Sequence, residues 1–217
     1  MITTEQIRQQ LQAQIDALEA GEPLATIDIA LTRLAVRASV TALDLDGCDT
    51  QIAAALDAGA SAQQVQEVLD LVSGLGVHTL MEVSRRLAAQ LRARGDASIA
   101  APLDERRSAL WAKYVGDDPY WDAMEEEAPG FLDALLRLSP NGFEAFFLYC
   151  AVPWKSATLR PLTKELISIA VDAATTHRYM PGLRLHLRNA IKLGAGRAAI
   201  LQTLEIAADA PHHGGIG

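Results

Sequence analysis

The stretch that decides the fold runs from residue 165 to residue 195 and reads ELISIAVDAATTHRYMPGLRLHLRNAIKLGA. Its opening part carries Leu166, Ile167, Ile169, Ala170, Val171, Ala173 and Ala174, leaving only Glu165, Ser168 and Asp172 polar, at i, i+3 and i+7. That spacing is one narrow stripe on a helix, and a helix so nearly apolar all round belongs at the centre of a helical core. His177 to Gly182 interrupts the pattern. A second helix follows, with Leu183, Leu187 and Ala190 on its apolar side and Arg184, Arg188 and Lys192 on its wet side. His186 falls on the apolar flank, beside Leu187, and Gly194-Ala195 closes the segment.

The same pattern occurs once before. Sliding the chain by 135 positions lays residues 31–78 on 166–213 without a gap, and 11 of the 48 pairs are identical. Shared alanines alone would carry little weight in so alanine-rich a chain. The shared glycines, Gly47/Gly182 and Gly59/Gly194, carry more, because both pairs fall at turns, where backbone freedom is needed. Each copy reads as helix, turn, short helix, Gly-Ala turn, long helix.

Around the two copies the punctuation predicts further helices. Thr3 with Gln6 and Ser61 with Gln64 have capping-box spacing. Helices are expected from Thr3 to Gly21, over 24–43, over 48–58 and from 62 towards Arg94 with a soft point at Gly74 and Gly76. Asp44 to Gly47 reads as a turn, and Gly95 to Pro102 as a linker. Short helices follow, broken at Asp117–Pro119, Pro129-Gly130 and Ser139–Gly142; Phe143 to Trp154 reads as a buried helix. Trp111, Tyr114, Tyr120 and Trp121 are expected to fasten this region onto the core. The expected divisions are 1–95, an N-terminal degenerate repeat; 96–158, a helical linker region; and 159–217, a C-terminal repeat carrying the site.

Divergence between the copies points to chemistry. Where the second copy has Glu165, Ser168 and Asp172, the first has Ala30, Arg33 and Arg37. Where the second has His177, Tyr179 and His186, the first has Ala42, Asp44 and Gln51. Either stripe could be a solvated edge or a salt link between repeats. The alternative is that Glu165, His177, Tyr179 and His186, all within 22 residues of one helix-turn-helix, line a pocket. Glu165 would then be a base or relay, and His186 an acid/base whose two forms are both accessible near neutral pH. His177 and Tyr179 would position a small polar substrate. A metal bound by Glu165, His177 and His186 is a second reading, although the spacing matches no compact motif. A non-catalytic helical module for ligand binding or assembly is a third. No cofactor is called for.

Residues 165–195 resemble the core motif of the carboxymuconolactone decarboxylase and alkylhydroperoxidase-D-like superfamily, and 31–78 resemble a degenerate copy of it. The resemblance implies an all-α fold built from two such cores in one chain. It also implies assembly into trimers or hexamers. In the peroxidase branch a CxxC precedes the histidine by four residues, and a glutamate stands upstream. Glu165 and His186 match the glutamate and the histidine, whereas Tyr179 and Gly182 stand where the cysteines would be. Without a thiolate there is no peroxidatic nucleophile. The decarboxylase branch lacks the cysteines and works on a lactone acid by acid/base chemistry, which these residues could support.

Composition narrows the remainder. The chain has 217 residues, half of them hydrophobic and only 5% aromatic, which favours close-packed helices over a sandwich or barrel. A net charge of -8 with scattered arginines offers nothing to nucleic acid. Cys48 and Cys150 form no CxxC pair and read as small buried hydrophobes. No apolar run approaches the ~18–20 residues of a membrane span, and the first residues lack a signal-peptide pattern, so a cytoplasmic location is expected. The broad apolar faces predict a homo-oligomer, a trimer being favoured over a dimer.

Overall fold

Thr3 opens the first helix by accepting from the Gln6 amide at 3.1 Å, while the Gln6 side chain accepts from the Thr3 amide at 2.8 Å. This reciprocal cap starts α1 (Thr4–Asp16), which buries Ile7, Leu11 and Ile15. The computed structural model describes residues 3–216, and among them it contains helices and no strand. After α1 come α2 (Thr26–Ala38), α3 (Leu45–Asp57), α4 (Ala62–Ser73) and α5 (Val77–Ala93). A single 3-10 turn at Gly74–Gly76 separates the last two, at the expected soft point. Then follow α6 (Ala97–Ala100), α7 (Glu105–Tyr114), α8 (Pro119–Glu127), α9 (Phe131–Leu138), α10 (Pro140–Cys150) and α11 (Val152–Lys155). The chain closes with α12 (Pro161–Ala173), α13 (Met180–Lys192) and α14 (Arg197–Ala208).

Several boundaries differ from the sequence reading for local reasons. The first helix ends at Asp16, short of Gly21. The helix expected over 24–43 stops at Ala38, because Ser39 turns to extended ψ and Leu43 takes φ +43. Asp44 to Gly47 is the start of α3 rather than a free turn. Asp44 is the N-cap, and its Oδ1 accepts from the Gly47 amide at 3.1 Å. Met180-Pro181-Gly182 is likewise the first turn of α13, with proline at the position where its missing N–H costs nothing.

The chain divides into two units. One joins the residues up to Leu75 with those from Pro153 onward; the other is Gly76–Val152. These limits differ from the expected segments 1–95, 96–158 and 159–217, because α5 packs with α9 and α6 rather than with the preceding helices. In the Gly76–Val152 unit α5 packs on α9, and Asp133 is held by Arg92 at 3.1 Å and by Arg137 at 2.7 Å. Trp111 stacks on Phe143 and Tyr114 on Phe147 of α10, and Trp121 meets Phe147 edge to face, so these aromatics form a cluster inside this unit. The stretch 143–154 is helical as expected, with Phe143, Phe146 and Phe147 buried and Trp154 exposed.

In the other unit α12 is the central element. All eleven residues from Thr163 to Ala173 are buried, and α12 packs on α13, α14, α2 and α4. The bounds of α2, α3 and α4, moved by 135 residues, are those of α12, α13 and α14. Leu43 and Arg178 share a positive φ, and Gly59 and Gly194 both stand at φ +91, a conformation glycine adopts without strain. Cross-links also pair corresponding positions. The Leu24 amide donates to Gln202 Oε1 at 2.6 Å, and the Leu159 amide donates to Glu67 Oε2 at 3.0 Å. Thr163 Oγ1 donates to Asp28 Oδ1 at 2.9 Å, and the Thr41 and Thr176 hydroxyls lie 3.4 Å apart. Residues 135 apart touching one another is consistent with a duplicated core whose halves face across a twofold axis.

Two buried charges cross between these halves. Lys164, 2% exposed, pairs with Glu67 at 2.6 Å and donates to the carbonyls of Pro153 and Ser156 at 2.6 and 2.8 Å. Glu67 also accepts from the Ser156 hydroxyl at 2.9 Å. The pair ties α4 to α12 directly beneath the start of the central helix.

Candidate active site

The polar stripe of α12 faces inward, onto α13. Glu165 is 5% exposed, Ser168 7% and Asp172 fully buried. Three buried polar groups on a helix surrounded by leucines and alanines require partners, and α13 supplies them for Glu165. Its Oε2 lies 2.6 Å from His186 Nδ1, and its Oε1 accepts from Asn189 Nδ2 at 3.2 Å. His186 and Asn189 are three positions apart on α13, so both reach the same carboxylate. Nδ1 is thereby committed to Glu165, so any further proton exchange by the ring would run through Nε2.

The protonation of His186 follows from opposing effects. Burial alone would push the imidazole down; the Glu165 hydrogen bond, the Glu165 charge and the Asp172 charge outweigh it and hold the pKa above the ordinary 6.5. Asp172 is pushed up to about 7 by burial, partly offset by the charge of His186. Asp172 Oδ1 stands 3.6 Å from His177 Nε2, and burial holds His177 below its usual pKa. Tyr179 is the N-cap of α13, its amide donating to the Asp172 carbonyl at 2.8 Å, and its ring lies 6.2 Å from that of His177.

The four expected residues therefore divide. Glu165 and His186 are in direct contact. His177 and Tyr179 gather on Asp172, one helical segment further along α12. The trio Glu165, His177 and His186 offered for a metal is split in the same way, with His177 placed on Asp172. Sequence reasoning noted Asp172 only as part of the stripe and passed over Asn189. Asp172's signal was its phase with Glu165, two turns earlier; Asn189's was its position one turn after His186. Gly182 completes the arrangement. A Cβ there would sit 2.2 Å from Asp172 Oδ2, so only glycine lets the α13 backbone lie against that carboxylate. Gly182→Ala is expected to destabilise the protein by about 1–3 kcal/mol by overpacking a buried site, seen as a lowered denaturation midpoint.

The Asp172 shift has a testable sign. A carboxyl whose folded pKa lies near 7, against an unfolded value near 3.8, is neutral in both states in acid. As pH rises from about 4 to 7 only the unfolded chain ionises freely, and stability falls until the folded group ionises too. His186 acts in the same direction, since its raised pKa lends stability below 6.5 that is lost as pH passes its folded value. Wild-type stability should drop between pH 5 and pH 8, and Asp172→Asn should remove on the order of 2–4 kcal/mol of that drop. Denaturant melts at the two pH values measure this; equal slopes in both proteins would refute it.

The thiols stand apart from this chemistry. Cys150 is pushed up to about 11 by burial; burial and the neighbouring Asp44 raise Cys48. Neither carries a thiolate at neutral pH. No described helix is long and apolar enough to cross a membrane.

Residues 140–212, which contain α12, α13 and α14, match the model of the carboxymuconolactone decarboxylase family. Among solved structures, the chain is similar to a protein of Burkholderia xenovorans LB400 described as a candidate gamma-carboxymuconolactone decarboxylase subunit. The two are 36% identical with a TM-score of 0.72, over 85% of this chain and 72% of the other. No match was found among curated proteins. The chain belongs to the carboxymuconolactone decarboxylase family, with an all-α, alkylhydroperoxidase-D-like fold.

Proposed function

We propose that the protein is an enzyme acting by acid/base chemistry on a small organic acid or lactone, with decarboxylation of a lactone acid as the leading reaction. One observation carries the reading: the buried Glu165–His186 contact at 2.6 Å, in which a carboxylate favours the protonated imidazole and raises its pKa. Loss of CO2 from a substrate carboxylate leaves an electron pair on carbon that must be spread and then protonated. His186, with Nδ1 fixed by Glu165, presents Nε2 as the proton donor, and Glu165 stabilises the charge on the ring throughout. Asn189 fixes the Glu165 carboxylate, and Tyr179 and His177, gathered on Asp172, would orient the substrate's polar end.

The family name and the Burkholderia relative's description suggest gamma-carboxymuconolactone as the first compound to try. The expected result is catalytic CO2 release without added thiol. A protein that reduces hydroperoxides with a dithiol and releases no CO2 would overturn the reading.

Assembly is proposed alongside. Leu80, Val83 and Leu87 form an exposed apolar stripe on α5, at 36%, 55% and 49% exposure, a surface that a partner chain would cover. A homotrimer of the 23.3 kDa chain is expected by light scattering. A mass of one chain refutes the oligomer, and a mass of two refutes the trimer alone.

A further inference from the structure

The corresponding place in the first half is a cleft of about 130 Å³, open to solvent and lined by Arg33, Val36, Arg37, Gln51, Ile206, Asp209 and Pro211. Moved by 135 residues, Arg33, Arg37 and Gln51 correspond to Ser168, Asp172 and His186. Ala30 corresponds to Glu165. The acid/base set is therefore absent here, and two guanidinium groups stand where the second half has a hydroxyl and a carboxylate.

The charges in the cleft are unequal in availability. Arg37 is half-buried and bonded to Asp44, whose carboxylate also caps α3. Arg33, one turn earlier on α2, is exposed and has no ion pair or hydrogen bond among the described residues. Two arginines four apart on one helix face repel each other, so an anion between them is favoured at no cost to an existing contact of Arg33. Asp209 also lines the cleft and opposes a bound anion, which leaves Arg33 to supply the attraction. Val36 and Ile206, both nearly fully buried, with Pro211, give the cleft an apolar side. An apolar cavity near 150 Å³ holds a benzene ring, which sets the size of body this cleft accepts.

We propose that the cleft is a second ligand site that binds a small monocarboxylate with a compact apolar body. Arg33 and the Gln51 amide hold the carboxylate, and the carbon body lies on Val36, Ile206 and Pro211. A guanidinium is suited to this role because its planar donors match the two carboxylate oxygens. The site does not rest on the catalytic reading of Glu165 and His186, and it holds whether or not the lactone acid is turned over.

Benzoate is the probe, and benzamide is the neutral control of the same shape. Calorimetric titration of the full-length protein should give saturable benzoate binding that weakens about tenfold in Arg33→Gln and is unchanged in His186→Ala. Benzamide should bind at least about tenfold more weakly than benzoate in the wild type. Arg33 is exposed, so its substitution leaves the fold in place. Absence of saturable binding at millimolar benzoate would overturn the proposal. So would equal affinity for benzamide, or a loss caused by His186→Ala and not by Arg33→Gln.

Discussion

Replacing His186 by alanine is expected to lower turnover of a lactone acid by about 10²–10⁴-fold, the range over which a positioned acid or base contributes. Glu165→Gln should cost less, about 10–10²-fold, because glutamine keeps an acceptor for Nδ1 while removing the charge that keeps the ring protonated. The two losses should not add, since both act through the same proton. Circular dichroism and melting curves separate loss of chemistry from loss of fold. Full activity in His186→Ala would remove the ring from the mechanism.

The second large effect is on stability. Lys164→Met leaves the Glu67 carboxylate buried against α12 without its cation, at a cost of about 3–5 kcal/mol. Restoring neutrality with Lys164→Met/Glu67→Gln should recover most of that loss, because the glutamine oxygen still accepts from the Leu159 amide and the Ser156 hydroxyl. Burial works to raise the Glu67 pKa, and the hydrogen bonds from Lys164, Ser156 and Leu159 overcome it, leaving the group below its ordinary 4.5. The pair's contribution is thus present above about pH 4.5 and is lost as pH falls through the folded value. The gap between wild type and Lys164→Met should narrow in acid. Urea titrations across that range measure it, and a single variant as stable as wild type would show the pair to be dispensable.

The fold was legible where periodicity alone decides the outcome. The run Leu166–Ala174 could only be buried on nearly every side, and α12 is. The caps at Thr3 and Ser61, and the shared spacing of Gly59 and Gly194, placed helix ends correctly because each depends on a few neighbouring residues. The misplaced boundaries lay where side chains override composition. Asp44 and Gly47 look like a turn in isolation, but Asp44 uses its carboxylate to start α3 and to bind Arg37. The site was half legible. Glu165 and His186 stood out because each departs from its counterpart in the first copy. Asp172 also departs from its counterpart, Arg37, but that exchange of charge reads equally well as a wet edge or a salt link until the packing of α13 against it is known. Asn189 gave no departure of charge to notice, and its role exists only through the carboxylate it meets.

The buried Glu165 carboxylate is expected to favour the protonated form of the His186 ring. The most direct test is an NMR titration of the His186 ring in wild type and in Glu165→Gln. The expected wild-type midpoint lies above 6.5, with the midpoint in Glu165→Gln displaced to lower pH as burial regains control. A wild-type midpoint at or below 6.5, or the same midpoint in both proteins, would contradict it.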